Sequence, residues 1–259
     1  MPELPDLTIF AESLQKLVLD KTIDEVKYDK KQQLNVAPDI LGSALKDQKF
    51  IDVRRAGKEL LFTLGSGDNV LIHLMLSGGF KFCQKKEDVP FAILTVTFKD
   101  GQVLAAYDPK GWMKIAVNPD LAKYAVDALE VSSDYLEETF EKKHNMMLKP
   151  FLLDQQLIAG IGNAYADEIL WQAKISPKSV VGKIPKDVIA DLTSSIHSVL
   201  SNAIDHLRQY HPGIISGEIR DFLAVHNPKA TVSPSGSPVI IEQVASKKTY
   251  YTAEQLLYK

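Results

Sequence analysis

Two stretches of the chain hold residues whose type and order could do chemistry. The first is the start, MPELPD. Met1 precedes Pro2, a small residue that permits removal of the initiator methionine. The mature chain would then begin with a free proline, a secondary amine with a pKa near ~8. Such an amine attacks an aldehyde-like carbon and forms an iminium ion. Glu3 follows directly, within reach to act as acid or base. The competing reading makes Pro-Glu-Leu-Pro a stiff leader to the first helix. The second stretch, KPFLLDQQLIAGIGNAYADEILWQAKISP, runs from Lys149 to Pro177. It reads as helix, Gly-rich turn, helix. Gly160 and Gly162 let the backbone approach a partner closely. Asn163 then caps a helix carrying Ala164, Tyr165, Ile169 and Leu170. Free N–H groups at such a helix start suit a phosphate. The same pattern also fits an ordinary packing unit of two helices. A dinucleotide loop would need a third glycine, which is absent.

The elements that must position these residues follow from periodicity. Leu7, Phe10, Leu14, Leu17 and Val18 mark one face of a helix over 5–19, with Asp6 as its cap. From about 21 to 118 the chain reads as short strands, among them KELLFTLG, NVLIHLML, FAILTVTF and QVLAAY. Turns such as GSGDN (65–69) and KDG (99–101) separate them, which predicts a sandwich or barrel. From about 120 to 223 the pattern is helical, with Asp120, Ser133 and Asp134 as caps and a long amphipathic stretch over 187–208. The tail returns to strands, PVIIEQV (238–244) and KKTYY (247–251), around the turn PSGSP (234–238).

Composition sets the limits. The 259 residues are 45% hydrophobic and 24% charged, so wholesale disorder is excluded. The single cysteine, Cys83, excludes an internal disulfide framework and any zinc site built from several thiolates of one chain. No apolar run approaches the ~20 residues of a membrane span. The N-terminus lacks the pattern of a secretory signal. The net charge of −3 argues against a nucleic-acid binder. It is uneven, however: residues 141–259 hold 13 Lys+Arg and 11 Asp+Glu, while residues 1–140 hold 17 and 22. Binding follows the local field rather than the sum.

Taken in order, the motifs resemble those of the formamidopyrimidine-DNA glycosylase/endonuclease VIII family. MPELPD resembles that family's N-terminus, and LLDQQLIAGIGNAYADEIL its helix-two-turn-helix signature. RRAGKELLF (54–62) is similar to its lysine loop, IHLMLSGGF (72–80) to its HLGMSG segment, and YDPKGWM (107–113) to its DPRRFG segment. SGEIRDFL (216–223) also looks familial. The matches keep family order over almost the whole chain. The resemblance implies an α+β fold: a helix and β-sandwich domain (1–118), a helical domain with the helix-two-turn-helix (119–224), and a finger hairpin (225–259). DNA would lie in the cleft between the two larger parts. It implies a base-excision-repair glycosylase that removes oxidised bases and then acts as an AP lyase by β,δ-elimination. Pro2 would attack C1′ of the damaged nucleotide, Glu3 would serve as acid or base, and Lys58 would assist or bind phosphate. His73 and Asn163 would contact the DNA backbone. Leu76, Lys110 and Trp112 stand where the family fills the hole left by the extruded base with a methionine, an arginine and an aromatic residue. The partner would be double-stranded DNA carrying damaged bases or abasic sites, met by a monomer. No cofactor and no metal are expected. The chain would work in a bacterial cytoplasm at the nucleoid, or in a nucleus, and is not expected to be secreted.

Two departures from the family matter. The familial finger holds four cysteines, whereas the tail here offers Ser233 near the first position and Thr252 and Gln255 at the final C-x-x-C spacing. None replaces a thiolate. This resembles a zincless finger, its hairpin held by packing of Val239, Ile241, Tyr250 and Tyr251. Lys247 stands for the finger arginine and offers phosphate a point charge in place of a planar fork. The second departure is length: only Leu223 to Val225 separate Phe222, in the expected RDF helix, from His226. Such a short connection resembles the endonuclease VIII branch and predicts a preference for oxidised pyrimidines or hydantoins over 8-oxoguanine. Lys110 also puts opposite-base selectivity in question. The competing functional reading is a damaged-DNA-binding protein of the same fold with impaired catalysis. A tautomerase with an N-terminal proline is a third, but it leaves 149–177 without a role.

Overall fold

The computed structural model describes residues 1–29, 33–85 and 87–259. The chain divides into two compact units, one of residues 1–123 with 206–218, the other of residues 124–205 with 219–259.

The first unit is a helix-fronted β-sandwich. Helix α1 spans Leu4–Val18 and starts earlier than its apolar periodicity predicts. Glu3 is the N-cap, not Asp6. Asp6 lies three residues on and accepts a bond from the Glu3 N–H at 2.8 Å, which completes a reciprocal capping box. The strands are β1 (Ile23–Tyr28) and β2 (Gln33–Leu34) and, after helix α2 (Pro38–Leu45), β3 (Phe50–Ala56), β4 (Glu59–Leu64), β5 (Asn69–His73), β6 (Gly79–Cys83), β7 (Ala92–Phe98), β8 (Val103–Tyr107) and β9 (Lys114–Val117). They form a four-stranded sheet ordered β1-β7-β8-β6 and a five-stranded sheet ordered β2-β9-β5-β4-β3. The alternating apolar side chains of both sheets meet in one core with Leu7, Phe10, Leu14 and Val18 of α1. Phe62 packs against Phe50 and Phe80 at centroid distances of 5.3 and 5.9 Å, which fixes this interior in an aromatic chain.

The second unit carries α3 (Ser133–Lys142), α4 (Leu148–Leu153), α5 (Asn163–Gln172) and most of α6 (Lys186–Tyr210). The cap of α3 is Ser132, whose Oγ accepts from the Tyr135 N–H at 3.1 Å, so Ser133 and Asp134 lie inside the first turn. Asp120 accepts from the Ala122 N–H at the head of a short 3₁₀ turn. The predicted RDF helix does not form. Residues around Arg220–Leu223 make a turn, because the backbone N–H groups just beyond bond to a side chain rather than to a preceding turn. Ala224, Val225 and His226 all donate to the Glu168 carboxylate, at 2.7–2.8 Å.

The terminal hairpin pairs β10 (Ile240–Val244) with β11 (Lys247–Tyr251). Ala245 and Ser246 both take positive φ, 48° and 65°, as a two-residue turn matched to strand twist requires. The expected packing of this hairpin is partly wrong. Tyr250 is buried and Tyr251 half-buried, but Ile241 is 49% exposed. Thr249 and Val244 are buried in its stead, because β11 packs on α5 and Thr249 accepts from Lys149 of α4.

Candidate active site

The site is built at one end of the five-stranded sheet. Along α1 and β3 the contacts run in opposite directions. Gln15 Nε2 donates to the Val53 carbonyl at 2.7 Å, and Arg55 Nε donates to Thr8 Oγ1 at 3.2 Å. Rises of ~1.5 Å per helical residue and ~3.3 Å per strand residue carry this alignment on to place Glu3 level with the β3–β4 turn. That turn is Gly57–Lys58. Gly57 adopts φ 57°, and its carbonyl accepts from Arg55 Nη1 at 3.0 Å. Arg55 therefore holds α1 with one nitrogen and the Lys58 turn with another. Pro2 and Glu3 are both buried, and Lys58 is half-buried.

The neighbouring strands end at the same edge. Leu60 of β4 pairs with Ile72 of β5, so His73 lies beside the Lys58 end of β4, and His73 itself pairs with Lys114 of β9. Burial pushes the His73 pKa down to about 4, with the charges of Lys114 and Lys58 adding to the effect. The ring is neutral at pH 7, and its Nδ1 accepts from the Met75 N–H at 2.9 Å. The proton is thereby left on Nε2, free to be donated to an anion.

Beyond His73 and before Lys114 come two loops, both organised by Asp108. Its buried carboxylate accepts from Ser77 Oγ at 2.5 Å and from the backbone N–H groups of Lys110, Trp112 and Met113 at 3.1, 2.6 and 2.9 Å. Burial alone would raise the Asp108 pKa; these four donors outweigh it and hold the carboxyl below the usual carboxylate range. The Ser77 bond ties the first loop to the second. Gly78 closes the first loop, and a Cβ there would lie 2.3 Å from the Leu74 carbonyl oxygen. The loops hold Leu76 and Trp112 out of the core, 51% and 48% exposed, with Lys110 Nζ 4.8 Å from the Trp112 ring centroid.

The second unit gathers the other predicted residues. Asn163 is the first residue of α5, after the N-cap Gly162. Its Nδ2 donates to the Lys248 carbonyl at 2.9 Å, while its Oδ1 is buried with no protein partner. Lys247 is the adjacent, exposed residue at the hairpin turn. The glycine-rich turn is pinned by Gln155, which donates to the Leu153 and Ile161 carbonyls and accepts from the Gly160 N–H. Beneath it lies a polar interior that the sequence reading missed. Lys149 Nζ, fully buried, contacts Asp167 Oδ1 at 2.6 Å and Thr249 Oγ1 at 2.8 Å. Asp167 Oδ2 meets His226 Nδ1 at 2.7 Å and accepts from the Tyr250 N–H at 3.0 Å. The signal for Lys149 was present: a lysine among the apolar residues of LKPFLL. Asp108 likewise lies within YDPKGWM and Arg55 within RRAGKELLF, whereas Lys114 lies in neither motif.

The tail does not fit a metal. Ser233, Thr252 and Gln255 are buried, but they offer hydroxyls and an amide, which suit zinc poorly. Cys83 lies on β6, in the other unit.

Residues 1–115 match the formamidopyrimidine-DNA glycosylase N-terminal domain, and residues 124–210 match the formamidopyrimidine-DNA glycosylase H2TH domain. The formamidopyrimidine-DNA glycosylase of Enterococcus faecalis is 30% identical over 270 residues, covering 97% of this chain and 95% of that one. The enzyme of the same name from Mycoplasma genitalium is 34% identical over 215 residues, covering 79% and 75%. The Lactococcus lactis enzyme, solved non-covalently bound to DNA containing an AP site, superposes with a TM-score of 0.86 at 25% identity, over 98% of this chain and 99% of that one. The class is that of the DNA glycosylases. Within it, the chain belongs to the formamidopyrimidine-DNA glycosylase family.

Proposed function

We propose that this protein removes oxidised bases from double-stranded DNA and then cleaves the abasic strand, with Pro2 as nucleophile. The observation that carries the reading is the convergence at one sheet end of the α1 N-terminus, the Lys58 turn, His73 and the two Asp108-organised loops. While Met1 is attached, the Pro2 nitrogen is a tertiary amide and cannot attack. Once Met1 is removed, the secondary amine adds to C1′ and the damaged base leaves with the electrons of the glycosidic bond and a proton. Glu3 assists at the sugar as acid and base. The proline nitrogen loses its proton, and the C1′–O4′ bond then breaks as O4′ takes up a proton, which opens the sugar and leaves a C1′ iminium. That iminium acidifies C2′–H, whose loss expels the 3′ phosphate; a further elimination expels the 5′ phosphate. Lys58 assists these steps or binds phosphate, and no cofactor enters them.

His73, Asn163 and Lys247 contact the DNA backbone. Leu76, Lys110 and Trp112 occupy the space of the extruded nucleotide, Leu76 as apolar wedge and Trp112 as platform. The finger of 225–259 works without metal. The short connection from Phe222 to His226 supports release of oxidised pyrimidines or hydantoins ahead of 8-oxoguanine. The named relatives are bacterial, and no helix among the described residues is long and apolar enough to cross a membrane. The bacterial relatives support a protein that acts on DNA in the cytoplasm, at the nucleoid, and it is read as a monomer.

Borohydride trapping tests the reading. The chain that begins at Pro2, confirmed by intact mass, cross-links to an abasic duplex on reduction, and Pro2→Gly lowers the yield at least tenfold. Excision assays on duplexes with an oxidised pyrimidine and with 8-oxoguanine read the base preference. Salt-sensitive duplex binding without any trapping would instead mark a damage-binding protein.

A further inference from the structure

In a four-cysteine finger a metal joins two loops by taking ligands from each. Here the corresponding loops, 233–237 and 252–255, are joined by hydrogen bonds that converge on one carboxylate. Ser235 Oγ donates to Glu254 Oε2 at 2.7 Å, and Thr252 Oγ1 donates to the same oxygen at 3.1 Å. Ser233 Oγ lies 2.7 Å from Ser235 Oγ and extends the chain inward. Lys174, just beyond α5, places its Nζ 3.5 Å from Glu254 Oε2 and ties the assembly to the helical body. Gln255 closes the second loop by accepting from the Thr252 N–H at 2.8 Å, and anchors it by donating to the Ile175 carbonyl at 2.9 Å.

We propose that Glu254 is the positioning residue of the terminal hairpin, clasping its two base loops in the role that a metal ion fills in a four-cysteine finger. Three features support this. The clasp draws on both loops, as a metal would. It includes positions that the cysteine pattern assigns to ligands, Thr252 and Gln255, with Glu254 lying between them. It is built from charge-assisted O–H···O bonds, the stronger kind, on a group that accepts several at once. Its effect on DNA passes through the hairpin that presents Lys247, and in that respect the inference rests on the function proposed above.

The test uses the full-length chain, Glu254→Ala and Glu254→Gln. Amide exchange in the absence of DNA reads the clasp itself. Glu254→Ala speeds exchange at Ser233, Gly236, Val239 and Gln255 by about tenfold or more. The Tyr250 amide, held by Asp167, is unchanged. Glu254→Gln keeps an acceptor oxygen but loses the charge, and falls between the two. On a duplex with a tetrahydrofuran abasic analogue, Glu254→Ala weakens binding about tenfold, while trapping of an abasic duplex at saturating DNA stays within twofold. A chelator leaves wild-type exchange and binding unchanged. Unaltered exchange in Glu254→Ala overturns the proposal, and so does loss of wild-type protection on chelation. Failure of every form to trap overturns the Pro2 chemistry instead, and the exchange result still decides the clasp.

Discussion

The sheet end that carries Leu76, Lys110 and Trp112 and the hairpin that carries Lys247 each hold exposed side chains on irregular backbone. They do so with different partners. At the sheet end, three of the four groups bonded to Asp108 are backbone N–H groups, which no substitution short of proline removes. At the outer edge of the hairpin, the groups on Glu254 are side chains, each of which a single mutation can delete. The first arrangement fixes loop shape and leaves the exposed residues free to vary. On the function proposed above, such a frame accepts leucine at position 76 and lysine at position 110, where the family resemblance expects methionine and arginine. The second makes shape depend on residue identity.

The inner half of the hairpin gives the largest expected effect. Lys149→Met leaves the Asp167 carboxylate in a fully buried position without its cation. Breaking one side of a buried pair costs ~3–5 kcal/mol. Adding Asp167→Asn to Lys149→Met removes the stranded charge and recovers part of that loss. Chemical denaturation followed by Trp171 fluorescence in a Trp112→Phe background measures both. A wild-type midpoint in Lys149→Met would break the claim that the hairpin is anchored from within.

Asp108→Ala comes next. It strands Ser77 and three backbone donors, but the loops are close enough to water to recover some bonds. The expected cost is therefore ~2–4 kcal/mol rather than the full sum. Cleavage of an abasic duplex falls at least tenfold, because Leu76 and Trp112 lose their fixed placement. Asp108→Asn keeps one acceptor oxygen and retains more of both. If Asp108→Ala and Glu254→Ala prove equally mild, the contrast between backbone and side-chain donors fails.

The same contrast explains what could be read in the sequence. The sandwich, the helix pair and the hairpin were legible because alternation and helical spacing report which face is buried. The Pro2–Glu3 start, Lys58, His73 and the two loops were legible as motifs, since backbone-set shapes carry recurrent residue patterns. The bonds that set them were not. Arg55 reads as one more strand arginine until Thr8 and Gly57 stand beside it. Glu168 reads as the exposed face of a helix, and nothing local predicts that it would gather three N–H groups from 224–226 and so prevent a helix over 220–223. Hydrophobicity alone places Ile241 in the core; the phase of a short hairpin is set by the helices it packs on, which lie about a hundred residues earlier.

The pH dependence of the sheet end gives a smaller effect. His73 has a folded pKa of about 4 against an ordinary value near 6.5. The unfolded chain binds the proton more readily between these values, so the stability gained from a neutral His73 is complete above pH 6.5 and is lost as pH falls towards 4. Wild-type stability should decline across that window more steeply than that of His73→Gln, as urea midpoints at successive pH values would record. Parallel declines would show that the ring is not held neutral by burial beside Lys114 and Lys58.

The smallest effect belongs to Lys247, and it separates position from charge. Its side chain is exposed beside a turn whose shape is set by Ala245 and Ser246, so Lys247→Ala should leave stability within ~0.5 kcal/mol. If the ammonium meets one phosphate, the slope of log affinity against log salt shrinks by about 0.9 in Lys247→Ala and returns in Lys247→Arg. Glu254→Ala removes no cation from the hairpin. It should therefore lower affinity by misplacing Lys247 and reduce the same slope only as far as that contact is lost. Combining the two changes then adds little to either, whereas fully additive losses would mean that the clasp and the lysine act on DNA independently.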